Sequence, residues 1–474
     1  MIWSISWLNV WRNKNRSLVV IAAVTLGIIS GVLLVGIMKG WVEQRLHDAI
    51  YNEVSHVQVH NNEYLKNEEI LLTVADTTEM INAVELLPGL TGWVKRTRMI
   101  AMANTPWANT GVIIYGIDPD KEREVTEICK RIVPGGGEYL DKGKAGNILI
   151  SDKTADILKI KQYNISEEVL NRLKIEKIPD QVLSQLITLK NTRFRSQKEF
   201  RAALKAELKR KELDSYGRKI VDEALDYRLR NKIQITITDE SGTPVQGTFR
   251  ICGIYKTTNG GFDQATVFVN DGELAALYDG KNVLTHEIAI MLNDIENADA
   301  VRERLTNISP DNTVSTWKEM APDAAFMNDY MIMYYFIFIG IIMLALAFGI
   351  INTMMMTILE RTKELGMLMA IGMNRKRIFS MIMLETVFLT LVGAVAGMLT
   401  GWALIVILGK SGIHFSSWGE GFEAIGFAAT VYPVITPDFF LFVTFMVIVT
   451  AIISSVWPAR KALKLNPIEA LRTE

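Results

Sequence analysis

Ser17-Leu-Val-Val-Ile-Ala-Ala-Val-Thr-Leu-Gly-Ile-Ile-Ser-Gly-Val-Leu-Leu-Val-Gly-Ile-Met38 carries no charged residue. A hydrocarbon core of roughly 30 Å takes about 20 apolar helical residues, so this run is long enough to span a bilayer. Three more apolar runs follow far downstream, at 330–359, 378–408 and 439–457. At about 1.5 Å per helical residue the middle two reach roughly 45 Å and are expected to project past the membrane. Between the first run and the second, residues 39–329 read as mixed, soluble-type sequence. The fold class expected is therefore an α-helical membrane protein with four transmembrane helices in a 1 + 3 arrangement and a large α+β periplasmic domain inserted between helices 1 and 2.

The short flanks give an orientation. Arg12, Lys14 and Arg16 precede the first run, and Arg361, Lys363, Arg375, Lys376 and Arg377 sit between the second and third. Arg460, Lys461, Lys464 and Arg472 follow the fourth, whereas 409–438 holds only Lys410. By the positive-inside rule both termini and the 360–377 loop are expected in the cytoplasm, with 39–329 and 409–438 outside. No Ala-x-Ala-like site precedes Lys39-Gly40-Trp41, so the first run reads as an uncleaved anchor. Trp3, Trp7, Val10 and Trp11 form one helical stripe, the pattern of an interfacial helix over 1–16. A composition of 49% hydrophobic and 22% charged residues suits a membrane protein with a soluble domain. The net charge of −1 averages the two sides and excludes little.

Glycines four apart let helix backbones approach closely. Gly27 and Gly31 have this spacing in the first run, and Gly393, Gly397 and Gly401 in the third. These faces serve packing within the chain or against a second subunit. Glu385 is the one carboxylate well inside an apolar run. Such a residue is a functional candidate, but it lies eight residues past Arg377, within reach of a cytoplasm-side Arg or Lys. A proton relay would need a chain of ionisable groups, which is missing.

In the outer region, 54–60, 112–117, 148–150, 233–238, 248–255, 265–269 and 287–292 read as strands, with a hairpin turn at 240–244 and another turn at 118–121. Helical patterns at 76–87, 154–158, 271–278 and 298–305 complete the α+β reading. Residues 161–231 form a basic, helical insert with starts at Ser166-Glu-Glu and at the capping box Ser196-Gln-Lys-Glu199, and Phe200, Leu204 and Leu208 on one face. From Lys190 to Lys232 there are 14 Lys/Arg against 7 Asp/Glu. This is a solvated subdomain or a docking surface for an acidic partner or lipid headgroups; nucleic acid is not expected on that side. Cys129 and Cys252 are the only cysteines, and the sequence leaves their pairing open.

No phosphate-binding Gly-x-x-x-x-Gly-Lys-Ser/Thr occurs. The nearest look-alike, Lys142-Gly-Lys-Ala145, has Glu138 in place of the first glycine and Ala145 in place of the hydroxyl. His56 and His60 are four apart in a strand-like run, which argues against a helical zinc pair. No nucleophile–base constellation stands out, so the chain is expected to be non-catalytic and to hold no cofactor of its own.

The segment Glu360-Arg-Thr-Lys-Glu-Leu-Gly-Met-Leu-Met-Ala-Ile-Gly-Met373 reads as an amphipathic helix able to dock in a partner's groove. It closely resembles the coupling segment of MacB/FtsX-type ABC transporter permeases. The tail Trp457-Pro-Ala-Arg-Lys-Ala-Leu-Lys-Leu-Asn-Pro-Ile-Glu-Ala-Leu-Arg472 is similar to their C-terminal motif. Ser-His-Val-Gln-Val-His at 55–60, Tyr-Gly-Ile-Asp-Pro-Asp at 115–120 and Gly-Ile-Tyr-Lys-Thr at 253–257 look like the outer domain of the lipoprotein-releasing permeases LolC and LolE; the resemblance fails across 161–231.

The resemblance implies a permease subunit in the bacterial inner membrane. Its partners would be a cytoplasmic ABC ATPase carrying ATP and Mg, a second permease copy or related chain, and a lipoprotein substrate. It implies ATPase contact through Glu360, Arg361, Glu364, Leu368 and Gly372. Acyl-chain contact is expected at Leu33, Ile37, Met331, Met333, Ile337 and Ile341. Gly242, Thr243 and Pro244 would stand where that family presents a loop to a periplasmic chaperone, although this turn is shorter. MacB-like efflux of peptides or amphiphiles, or FtsX-like signalling without transport, are the alternative activities.

Overall fold

A computed structural model describes residues 2–463 apart from 13, 240, 279–282, 416–418 and 425. The tail motif beyond Leu463, with Lys464 and Arg472, and Glu240 of the hairpin turn therefore lie outside the described residues. The chain divides into two units. One comprises 1–44, 326–419 and 428–474, and the other 45–325 and 420–427.

The first unit is helical. Four of its helices are long and apolar enough to cross a membrane: Lys14–Asp48, Pro322–Glu360, Arg375–Ser411 and Pro437–Leu463. Each extends past its apolar run, and the unit boundaries at 44/45 and 325/326 fall inside the first two. Val24, Ile28, Val32, Met343, Ile350, Ile382, Leu389 and Val447 contribute to a common core. The third helix touches the first through its glycines. A Cβ on Gly397 would stand 2.9 Å from both Ile28 Cβ and the Thr25 carbonyl, and one on Gly393 2.9 Å from Val24 Cβ. Gly401 faces Val32 in the same way, and Thr25 donates to the Gly393 carbonyl at 3.1 Å. Gly27 and Gly31 face the second helix, meeting the side-chain ends of Leu346 and Ile342. All five glycines thus pack inside the unit. The N-terminal helix Ile2–Arg12 docks on the third helix: Trp3 and Trp7 meet Phe388 edge-on, and Ser6 donates to the Met381 carbonyl.

The second unit is built on a ten-stranded sheet. Its order is Asn312–Thr316, Val57–Asn61, Glu287–Leu292, Leu90–Asn104, Asn109–Ile117, Thr266–Asn270, Asn147–Ser151, Pro244–Tyr255 and Ile132–Gly137. Lys232–Thr238 pairs with both Pro244–Tyr255 and Leu90–Asn104, so six strands close into a ring. Leu90–Asn104 belongs to both halves of the sheet, through Glu287–Leu292 at one end and Asn109–Ile117 at the other. This strand, Ile132–Gly137 and Asn312–Thr316 escape the sequence reading. Arg96 and Arg98 interrupt the alternation of Leu90–Asn104. Yet Arg96 is buried, gripping Glu122 at 2.7 and 3.0 Å and Glu287 at 2.5 Å.

Three local expectations need correction. Val54 belongs to a π-helical turn, Ala49–Val54, rather than to the following strand. Asp118-Pro-Asp-Lys is the start of a helix, Pro119–Val125, because Asp118 caps it by accepting from Asp120 N–H and Pro119 suits the first turn. The insert is not wholly helical. Its helices Glu167–Ile175, Asp180–Leu186, Gln197–Glu207 and Arg210–Ala224 enclose a three-stranded sheet of Arg193–Phe194, Lys161–Asn164 and Leu225–Tyr227. Phe200, Leu204 and Leu208 are buried in its own core with Val182, Ile220 and Val221. Ser166 and Ser196 do cap helices, accepting from Val169 and Glu199 N–H. Cys129 and Cys252 are both free.

Candidate coupling site

The segment between the second and third apolar helices is shaped by its own sequence. Thr362–Ala370 forms a helix, and Gly372 stops it in the left-handed region at φ +94°. Gly372 N–H bonds the Met369 carbonyl and Met373 N–H the Leu368 carbonyl, the paired pattern that closes a helix C-terminus on glycine. Asn374 then caps the third apolar helix by accepting from Lys376 N–H at 2.9 Å.

Four charges in series fix this segment. Arg361 Nη1 donates to both oxygens of Glu385, at 3.0 and 2.9 Å, and Arg361 Nε donates to Glu364 at 3.0 Å. Glu364 pairs in turn with Arg12 of the N-terminal helix. The Arg12 guanidinium holds the Glu364 carboxyl below its ordinary pKa. Glu385 thus pairs with a nearby cation, and that cation is Arg361. Both side chains are nearly buried, 11% and 7% exposed. A buried carboxylate is tolerable only when paired and hydrogen-bonded.

Leu365 is buried, and Leu368, Met369 and Met373 pack against the core. The opposite face offers Lys363, Met367 and Ile371, the last two 52% and 79% exposed. Of the five expected contact residues, Glu360 and Glu364 are exposed. Arg361 and Leu368 are turned inward, and Gly372 serves the helix stop.

A groove of about 350 Å³ opens between the first and second apolar helices. Val20, Ala23, Gly27 and Ser30 line one side, Ile342, Ala345, Gly349 and Thr353 the other. None of the six expected acyl-contact residues lines it. Met333, Ile337 and Ile341 are exposed on the second helix, Met331 and Ile37 are half-buried, and Leu33 packs against the core. The signal missed in the sequence is the small residues at four-residue spacing, Ala23 and Gly27 against Ala345, Gly349 and Thr353.

In the second unit, Gly242, Thr243 and Pro244 lie at the tip of a hairpin that Asp239 closes by accepting from Ser241 and Thr243 N–H. His56 and His60 serve the sheet. His56 Nδ1 accepts from Leu292 N–H, and His60 bonds the His286 carbonyl and Gln58. Arg45 is buried at the end of the first long helix. It binds Glu53 at 2.7 Å and Asp323 at 2.9 Å. Sequence reasoning passed over this cluster because its members lie up to 278 positions apart.

Residues 336–467 match the family described as FtsX-like permease, C-terminal. The ABC transporter permease YtrF of Bacillus subtilis is 27% identical over 278 residues, 56% of this chain and 61% of YtrF. An uncharacterized ABC transporter permease of Methanocaldococcus jannaschii, MJ1507, is 27% identical over 237 residues, 48% of this chain and 55% of that protein. The macrolide export ATP-binding/permease protein MacB of Chlorobium luteolum is 33% identical over 126 residues, 27% of this chain and only 16% of MacB. The chain therefore spans less than two thirds of each relative's length. Residues 336–467 are thus similar to the FtsX-like permease C-terminal domain, and parts of the chain to the permeases MacB and YtrF.

Proposed function

We propose that this chain is the membrane subunit of an ABC transporter, lying in the bacterial inner membrane with its termini and the Thr362–Ala370 helix in the cytoplasm. A separate ATPase subunit carries ATP and Mg. The observation that supports this reading best is the Arg12–Glu364–Arg361–Glu385 series. A push on the exposed face of the Thr362–Ala370 helix is not absorbed locally, because the helix is tied both to the N-terminal helix and to the third apolar helix. The contact surface for the ATPase is Glu360, Lys363, Met367 and Ile371, while Arg361, Leu368 and Gly372 hold that surface in position. The long helices Lys14–Asp48 and Pro322–Glu360 carry the movement to the outer domain, in keeping with packed elements that switch between discrete arrangements.

The substrate is a lipid-linked protein, and two permease copies, or this chain and a related one, form the transporter. The apolar groove between the first two helices suits an acyl chain, and the Gly242–Pro244 turn is the place for a chaperone contact. Export of a small amphiphile is the second reading. The names of two relatives favour it: macrolide export for MacB and pyoverdine export for a Pseudomonas putida protein 33% identical over 126 residues. The test is capture of the complex from mild detergent with and without a non-hydrolysable ATP analogue, followed by mass spectrometry. An ATPase with acylated proteins supports lipoprotein release. An ATPase with an outer-membrane channel supports export, and one with an outer-face hydrolase supports FtsX-like signalling. An intact preparation holding no ATPase overturns the transporter reading.

A further inference from the structure

The unit formed by 45–325 carries two faces of opposite net charge. Residues 161–232 hold 18 Lys/Arg against 11 Asp/Glu, a surplus of +7; residues 45–160 and 233–325 together hold 19 against 31, a deficit of −12. On the insert, Lys198, Arg201 and Lys205 lie at i, i+3 and i+7 of the helix Gln197–Glu207, opposite the buried Phe200 and Leu204. All three are exposed, and none has an ion-pair partner among the described residues. The cations continue through Lys209, Arg210 and Lys211, at the start of the helix Arg210–Ala224. A helix N-terminus favours anions, so cations there oppose the local dipole. Glu212 accepts from Lys209 N–H at this N-terminus, and the three cations around that one carboxylate leave the face positive.

The complementary face is on the body of the domain. The helices Thr77–Glu85 and Ala298–Thr306 bury Met80, Val84, Val301 and Leu305 in one core and turn Glu79, Glu85 and Glu303 outward, with Arg302 and Arg304 exposed beside Glu303, so that 77–85 and 294–306 together hold 6 Asp/Glu against 2 Arg. Glu296 is exposed just before the second of them. These four carboxylates have no ion-pair partner among the described residues, and Glu85 ends its helix, where an anion again opposes the dipole.

We infer that the basic face of the insert docks on the acidic two-helix face of a second copy. Both faces are present on every copy, so a two-fold pair makes the contact twice. Two bodies at −12 would otherwise repel, and the interposed insert converts that repulsion into attraction and sets the register of the pair. This rests on the reading that two copies of this chain assemble.

The test uses full-length protein in lipid nanodiscs, with one tag on a Lys205→Cys copy and another on a Glu303→Cys copy, joined by a short bismaleimide. A cross-linked mixed dimer is expected, at least tenfold weaker in 0.5 M salt. It should fall at least tenfold with Lys198→Glu/Arg201→Glu in the first copy and recover when the second copy carries Glu79→Lys/Glu296→Lys. Copies that co-purify but do not cross-link overturn the docking while leaving the permease reading intact. Copies that never co-purify overturn it as well. If the basic-face variant instead loses binding to anionic vesicles, with no rescue by the acidic-face variant, the insert addresses lipid headgroups and the inference fails.

Discussion

The first apolar helix meets its two neighbours in different ways. Against the third helix, Gly393, Gly397 and Gly401 bring backbone onto Val24, Ile28, Val32 and the Thr25 carbonyl, with no room for one further carbon. Against the second, Gly27 and Gly31 touch only the ends of Leu346 and Ile342, and a groove opens beside them. A seam made of backbone has nothing that can rotate aside, whereas a seam of side-chain ends can repack at low cost. The first and third helices therefore move as one body. The second can shift against them, with its C-terminal end fastened by Arg361 and Glu385.

Removing that fastening should have the largest effect. Arg361→Ala removes the guanidinium that donates to both oxygens of the buried Glu385 and should cost about 3–5 kcal/mol, read as a drop in melting temperature in detergent. The double variant Arg361→Met/Glu385→Leu should recover most of it, whereas an unchanged melting point for Arg361→Ala would mean the pair is ornamental. Next comes the tight seam: Gly397→Ala should cost about 1–3 kcal/mol, because neither Ile28 Cβ nor the Thr25 carbonyl can yield.

The sheet-containing unit supplies a control, since its response to acid is expected to bypass both seams. Burial lowers the pKa of His56, His60 and His286, so they stay neutral when folded and charge on unfolding. They withdraw stability as pH falls below about 6.5. Burial raises Asp263 to about 7, so its folded form takes up a proton that the unfolded chain accepts only near pH 4. It adds stability over the same window, being most stabilising at low pH. Asp263→Asn removes that gain and should steepen the acid loss between pH 7 and 5 in thermal unfolding of the full chain; a shallower curve would reverse the assignment. The smallest effect is expected at the loose seam. Gly27→Ala meets only the Leu346 side chain, Cδ2 at 2.6 Å and Cγ at 3.2 Å, and that side chain can swing aside, so the cost should stay below about 1 kcal/mol. If Gly27→Ala and Gly397→Ala prove equally damaging, the distinction between the seams is lost.

The apolar runs, the coupling helix and most outer strands were legible because each is written in local periodicity. The partner of Glu385 was legible as a type, a nearby cation, but not as Arg361, since the choice depends on how two helix ends fold back. The inward turn of Arg361 and Leu368 was hidden for the same reason: an amphipathic pattern shows that a face is apolar without showing whether core or partner covers it. Leu90–Asn104 went unread because a buried Arg96 looks like a surface residue until Glu122 and Glu287, 26 and 191 positions away, are brought beside it.

The insert leaves and re-enters the domain through strands that lie side by side, with Lys161 opposite Tyr227 in an antiparallel pair. Its hydrophobic core is its own. A gene could therefore acquire or discard this stretch in a single event, as a cassette spliced between two adjoining codons of the protein's wall. The rest of the sheet would keep its threading, and a short linker in its place should yield a natural-looking, shorter sibling.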